Sequence, residues 1–196
     1  MRRLVCAAAV AGLIGTFALP VPAWAQDDTL TRPFVQGGTA YLDLSAGEYK
    51  ITASPDDAIR ITSRNRGRDD VDLIVTVKGS RADLEVDGPS GDGVEVEIQL
   101  PRRTNVVIKL SAGELSIYGI EGSKDVSARA GEVRIGVGDT NQYRQVNASV
   151  RIGELAARAF SVEKGGFFRS FEWTGKGKYD LKAHLTVGEL RLDDEP

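Results

Sequence analysis

The chain has a single cysteine, Cys6, and a single histidine, His184. Cys6 sits within the first residues, so no disulfide, thiol nucleophile or cysteine metal cluster belongs to the body of the protein. One histidine without a thiol or a nucleophile-elbow motif is a poor basis for a catalytic dyad or a zinc or copper site. His184 lies in an alternating stretch between Ala183 and Leu185, where a surface or packed strand histidine is the simpler reading. Aromatic residues make up only 7% of the chain. No stretch combines helical periodicity with a cap; the best candidate, Gly153–Val162, is too short. The chain also lacks a basic excess. Its formal charge is −3, and the opening residues hold two arginines and no acids, so the remainder is more acidic still. Nucleic acid and anionic lipid both need a basic footprint, which argues against them as partners.

What the chain has is repetition. Leu110-Ser-Ala-Gly-Glu-Leu-Ser-Ile117 returns as Ala128-Arg-Ala-Gly-Glu-Val-Arg-Ile135, Leu44-Ser-Ala-Gly-Glu-Tyr-Lys-Ile51, Val150-Arg-Ile-Gly-Glu-Leu-Ala-Ala157 and Leu185-Thr-Val-Gly-Glu-Leu-Arg-Leu192. After each Gly-Glu pair, apolar and charged residues alternate with period two, the pattern of a strand with one buried face. Gly47, Gly113, Gly131, Gly153 and Gly188 interrupt these patterns. Each is read as a structural corner that needs a positive φ or a close backbone approach. Gly113, Gly131 and Gly153 follow one another at roughly twenty residues, which suits one rung of a β-solenoid. The longer interval from Gly153 to Gly188 suggests an inserted hairpin or a skipped corner.

Residues 1–25 read as a Sec signal peptide: Arg2 and Arg3, then an apolar run to Leu19, then Ala23-Trp-Ala25 before a cut at Gln26. The apolar run is too short for a stable membrane span, and no span is expected in the mature chain. The expected destination is periplasmic or extracellular. Residues 26–39 read as a loose N-terminal arm, 40–192 as one domain and 193–196 as a polar tail. From Ala40 to Leu100 short strands are separated by turn residues, so this half is expected to be more antiparallel meander than coil. The fold class is therefore all-β, a β-solenoid with short irregular rungs.

Two further features bear on chemistry. If the Gly-Glu corners stack, their glutamates form a carboxylate column, for which Lys50, Arg134 and Arg191 are counter-charges; no metal or cofactor is then required. The acids Asp56-Asp57, Asp69-Asp70, Asp72 and Asp193-Asp-Glu195 sit in turns and a tail, where aspartate hydrogen-bonds locally. The segment Lys164 to Lys178 holds Phe167, Phe171 and Trp173 on one strand face. It reads as a cap over the open end of the coil, or else as an aromatic platform for a ligand.

The repeated Gly-Glu phrases, the leader and the all-β body resemble the putative adhesin family of bacterial β-strand-repeat proteins, the DUF4097 type. The segment Phe167 to Tyr179 is similar to the one before the final Gly-Glu strand in members of that family. The resemblance covers Asn105 to Leu192 well and Ala40 to Leu100 loosely. It implies a right-handed β-helix-like solenoid in the envelope or outside the cell, and it supplies no catalytic residues. The expectation is a non-enzymatic, adhesin-like interaction or structural module whose partner is an envelope protein or a polysaccharide. The alternative is a small polysaccharide-active β-helix enzyme. That enzyme would need acids and arginines converging on one concave face.

Overall fold

The computed structural model describes residues 28–65, 72–88 and 94–194. The expected leader and the end of the polar tail lie outside them. The described residues form strands joined by turns and two 3-10 turns: β1 (Asp28–Pro33), β2 (Thr39–Ser54), β3 (Ala58–Asn65), β4 (Asp72–Lys78), β5 (Arg81–Asp87), β6 (Val94–Pro101), β7 (Asn105–Ile117), β8 (Lys124–Gly136), β9 (Tyr143–Ala157), β10 (Val162–Thr174) and β11 (Tyr179–Asp193). The protein is all-β, and every strand belongs to one mixed sheet.

The repeated phrase sets the register. Gly47 pairs with Gly113, Gly113 with Gly131, Gly131 with Gly188, and Gly188 with Gly153, across the parallel strands β2, β7, β8, β11 and β9. The glycines were expected to separate short strands. Instead the ladder runs through them, because identical phrases in register carry the same local distortion on both sides. Buried positions change parity at the glycine: Ile108 and Leu110 are buried before it in β7, Leu115 and Ile117 after it. A straight strand cannot bury both sets on one side, since successive side chains alternate. Each long strand therefore turns at its glycine, and both arms face a single apolar core. The glycines line up as a crease down the sheet.

Sheet order departs from chain order. The parallel part runs β2-β7-β8-β11-β9, so the C-terminal strand β11 lies between β8 and β9. Any copy of the phrase presents the same apolar face to its neighbours, so local pattern cannot specify which copies touch. The long interval from Gly153 to Gly188 holds β10, which leaves the parallel series and runs antiparallel along the outside of β9.

Two differences from the sequence reading concern the N-terminal part. Residues 28–33, expected within a loose arm, are β1, paired antiparallel with β3 from Asp28↔Ser63 to Pro33↔Ala58. The Leu30 side chain packs partly against the core, which gives this segment a reason to order. The antiparallel character expected of residues 40–100 holds for β3-β6 and for the β4–β5 hairpin. Strand β2 instead runs parallel to β5 along its first arm, to β6 along its second and to β7 along both. Among the described residues the sheet does not close.

Among the described residues, one cation lies inside. Lys124, 1% exposed, donates from Nζ to the Ile120 carbonyl and the Tyr143 hydroxyl, both at 2.7 Å. These bonds compensate for part of the desolvation that burying an ammonium costs.

Candidate functional site

On the outer side of the first arms, period-two alternation leaves polar residues facing solvent in β4, β5, β2 and β7. Register sets them in two rows. Thr76, Asp83, Tyr41 and Val107 are successive neighbours in one row, and Ile74, Glu85, Asp43 and Lys109 in the next. Strands lie ~4.8 Å apart, so the rows form a grid of side chains at fixed spacing. The surface over this grid is concave, with a volume of about 390 Å³.

In the first row Arg81 engages both Tyr41 and Asp83. The Arg81 guanidinium carbon sits 3.9 Å from the centre of the Tyr41 ring, a cation–π contact. Arg81 Nε donates to both Asp83 oxygens, at 3.0 and 2.9 Å. These hydrogen bonds hold the Asp83 carboxyl below the ordinary carboxylate range and raise the guanidinium. In the second row no hydrogen bond or ion pair among the described residues engages Asp43, Glu85 or Lys109. The grid therefore offers two carboxylates and an ammonium to an incoming ligand, beside a guanidinium over an aromatic ring. Hydroxyl-rich molecules are recognised by such groups.

Sequence reasoning missed these residues. Alternation says that Asp43 and Glu85 face outwards, but their proximity is a cross-strand fact, set by register between segments far apart in the chain. The available signal was charge at alternate positions in short strands, as in Asp83 and Glu85.

The expected corner residues fall on the crease. Gly113, Gly131, Gly153 and Gly188 have φ of +113°, +121°, +134° and +132°. A Cβ on Gly131 would lie 1.9 Å from the Gly113 carbonyl oxygen, and one on Gly153 1.8 Å from that of Gly188. Gly47, at the first strand of this parallel series, has no positive φ; a Cβ there would meet the Val94 carbonyl oxygen at 2.9 Å.

One residue further on lies the glutamate column. Glu95, Glu48, Glu114, Glu132, Glu189 and Glu154 are successive register neighbours. Arg134 Nε donates to Glu132 at 2.7 Å, Arg191 Nε to Glu189 at 2.5 Å, and Arg191 also reaches Glu132 at 3.7 Å. Lys50 makes no such pair among the described residues. Among the described residues, no group of three or more histidine, cysteine, aspartate or glutamate side chains could hold a metal ion.

Of the aromatic segment, Phe171 is buried at 8% exposure and Trp173 is half-buried. Phe160, from the turn before β10, lies 5.2 Å from both rings. Phe167 pairs in register with Ile152. His184 is exposed, its Nδ1 2.8 Å from the Ser149 hydroxyl. Asp56 is hydrogen-bonded by Arg60, which lowers its carboxyl. Asp69 and Asp70 lie outside the described residues.

No protein-family model matches the chain, and no curated protein matches it in sequence. Solved structures do. A putative cell adhesion protein from Clostridium sporogenes is 15% identical over 87% of this chain and 100% of its own, with a TM-score of 0.54. A putative adhesin from Parabacteroides distasonis is 10% identical over 85% and 96%, with a TM-score of 0.25. One from Bacteroides fragilis is 13% identical over 85% and 97%, with a TM-score of 0.24. The first likeness shows a shared fold; the other two are too distant to argue from.

Proposed function

We propose that the protein is an exported, non-catalytic, adhesin-like binding module of the cell envelope, and that its ligand face is the concave grid on β4, β5, β2 and β7. The observation that carries this reading is the second row of the grid, where Asp43, Glu85 and Lys109 stand beside the ordered Arg81–Tyr41–Asp83 group with no partner among the described residues. The ligand we assign to it is an envelope polysaccharide, whose hydroxyls are donors and acceptors at a spacing similar to that of neighbouring strands. Export follows from the leader read in the sequence. The name of the Clostridium neighbour is in keeping with an adhesive role.

The same reading takes the creased parallel strands as an irregular solenoid of the DUF4097 type. Residues 118–123 alone join the parallel neighbours β7 and β8. So short a link between parallel strands requires the chain to come round in a coil, and such connections are overwhelmingly right-handed. The glycines are its corners. Strand β10, with Phe171 and Trp173 against Phe160, covers the β9 end as a cap.

A polysaccharide-active enzyme is the second reading, because acids and bases do meet on this concave face. Glycoside hydrolysis needs one carboxylic acid kept protonated beside one ionised. Arg81 lowers the Asp83 carboxyl, so Asp83 does not supply the protonated acid of such a pair. Binding without turnover is the better account. Calorimetry with purified envelope polysaccharide tests it. Binding should weaken on the order of tenfold in Asp43→Ala and Lys109→Ala, each losing hydrogen bonds to charged groups, with no release of reducing ends. Unchanged affinity in both variants would discard this face, and release of reducing ends would favour the enzyme.

A further inference from the structure

Strand β4 is an exposed sheet edge without a proline or a glycine. Among the described residues it pairs with β5 on one side and with nothing on the other. Among the described residues, the two other free edges carry deterrents to pairing, Arg32 and Pro33 in β1, and the Gly165-Gly166 pair and Arg169 in β10. Between Asp72 and Lys78, β4 is Leu73-Ile-Val-Thr-Val77. Ile74 is 55% exposed, and Leu73, Val75 and Val77 are only partly covered by the core.

The backbone groups on that edge are in a definite phase. The β4–β5 hairpin turns through Gly79 and Ser80, and Lys78 pairs with Arg81 at its mouth. A two-residue turn closes on a hydrogen-bonded pair, and bonded and non-bonded pairs alternate along an antiparallel ladder. Lys78, Thr76, Ile74 and Asp72 therefore spend their backbone groups on β5. Val77, Val75 and Leu73 aim theirs outwards.

We propose that β4 is a homodimerisation edge, which pairs antiparallel with β4 of a second copy of this chain about a twofold axis at Val75. The strand is complementary to its own reverse. Centring on Val75 sets Asp72 of each copy opposite Lys78 of the other, so both ends carry opposite charges. Leu73 then faces Val77, and Val75 faces itself, on the side already turned towards the two cores. The outward-aimed backbone groups are the same three residues in both copies, so donors meet acceptors throughout. A parallel arrangement would instead set Asp72 against Asp72 and Lys78 against Lys78. Because the pairing is isologous it consumes both free β4 edges and closes at two copies, where an open edge would continue into aggregates. It also continues the outer face of one sheet into the other, since Ile74 and Thr76 rim the concave grid. The pairing does not depend on what that grid binds.

Sedimentation velocity on the full chain tests the inference, with the melting temperature of each variant recorded alongside. The wild type should be a dimer that dissociates on dilution. Val75→Pro deletes an amide aimed away from β5, so it should give a folded monomer. Asp72→Lys sets like charges opposite each other and should weaken the dimer on the order of tenfold; Asp72→Lys with Lys78→Asp should restore it. In a Cys6→Ser background, Val75→Cys should form a disulfide-linked dimer under mild oxidation, since facing residues of an antiparallel pair lie within disulfide reach. A wild type that stays monomeric at high micromolar concentration, pairing only with another protein's strand or with nothing, would overturn the proposal. So would a dimer that survives Val75→Pro with its native melting temperature, or a double charge exchange that fails to restore association.

Discussion

The glycine crease and the glutamate column are one residue apart in every repeat, and the sequence gives them equal emphasis. Their physical situations are opposite. At the crease each strand turns with its backbone against the neighbouring carbonyl, and a Cβ on Gly113, Gly131, Gly153 or Gly188 would meet that carbonyl oxygen at 1.8–2.0 Å. At the column the side chains reach solvent, Arg134 and Arg191 offset part of the charge, and Glu114 has no ion pair among the described residues. Repetition alone thus does not distinguish a residue the fold requires from one it tolerates. Steric room and solvation do.

The largest effect should come from Gly188→Val. Strand β11 is flanked by β8 and β9; a branched side chain at φ +132° strains its own backbone and drives its Cβ to 1.9 Å from the Gly131 carbonyl oxygen of β8. A loss of about 5 kcal/mol is expected, at the upper end for single substitutions, read as loss of the folded population by circular dichroism. Gly47→Ala sharpens the comparison within the crease. Without a positive φ, and with the Val94 carbonyl 2.9 Å from the new Cβ, it should cost about 1–2 kcal/mol in urea unfolding. A Gly47 variant as damaging as Gly188→Val would show that the crease is sensitive for some reason other than φ and stacking.

On the column the expected effects are smaller. Arg191→Ala removes the cation that reaches both Glu189 and Glu132. It should lower the urea midpoint slightly at low salt, and less at high salt, since exposed pairs are screened. Glu114→Gln removes a charge placed between Glu48 and Glu132, and the melting temperature should hold or rise slightly. The smallest effect is acid dependence at the grid. Asp83 has a depressed carboxyl in the folded chain, so its contribution is present above the unfolded aspartate value, about 3.9, and fades as pH falls through the lower folded value. Asp83→Asn should remove that small contribution at neutral pH, flatten the acid part of the stability profile and leave stability below the folded value unchanged.

The all-β class was legible because the Gly-Glu phrases alternate with period two and the chain has no capped helical stretch. Gly113 and Gly131 stood out for the same reason, although their ladders continue through them where separate short strands were expected. Two things were hidden. The place of β11 between β8 and β9 cannot be read from a repeat whose copies present equivalent faces. The grid of Asp43, Glu85 and Lys109 depends on register between β2, β5 and β7, and each residue alone is an ordinary exposed charge. Residues 28–33 misled in the other direction: Pro33 and a polar run read as an arm, while Leu30 and pairing with β3 order them as β1.

The central claim is that the crease, and not the charged column beside it, holds the sheet in its folded form. Equilibrium urea unfolding of Gly131→Ala beside Glu132→Gln tests it on adjacent residues of one strand. The glycine variant should lose about 3–5 kcal/mol, from the strained φ and the backbone contact together. The glutamate variant should stay within about 1 kcal/mol of the wild type. A glycine variant that unfolds with the wild type, or a glutamate variant that unfolds before it, would contradict the account.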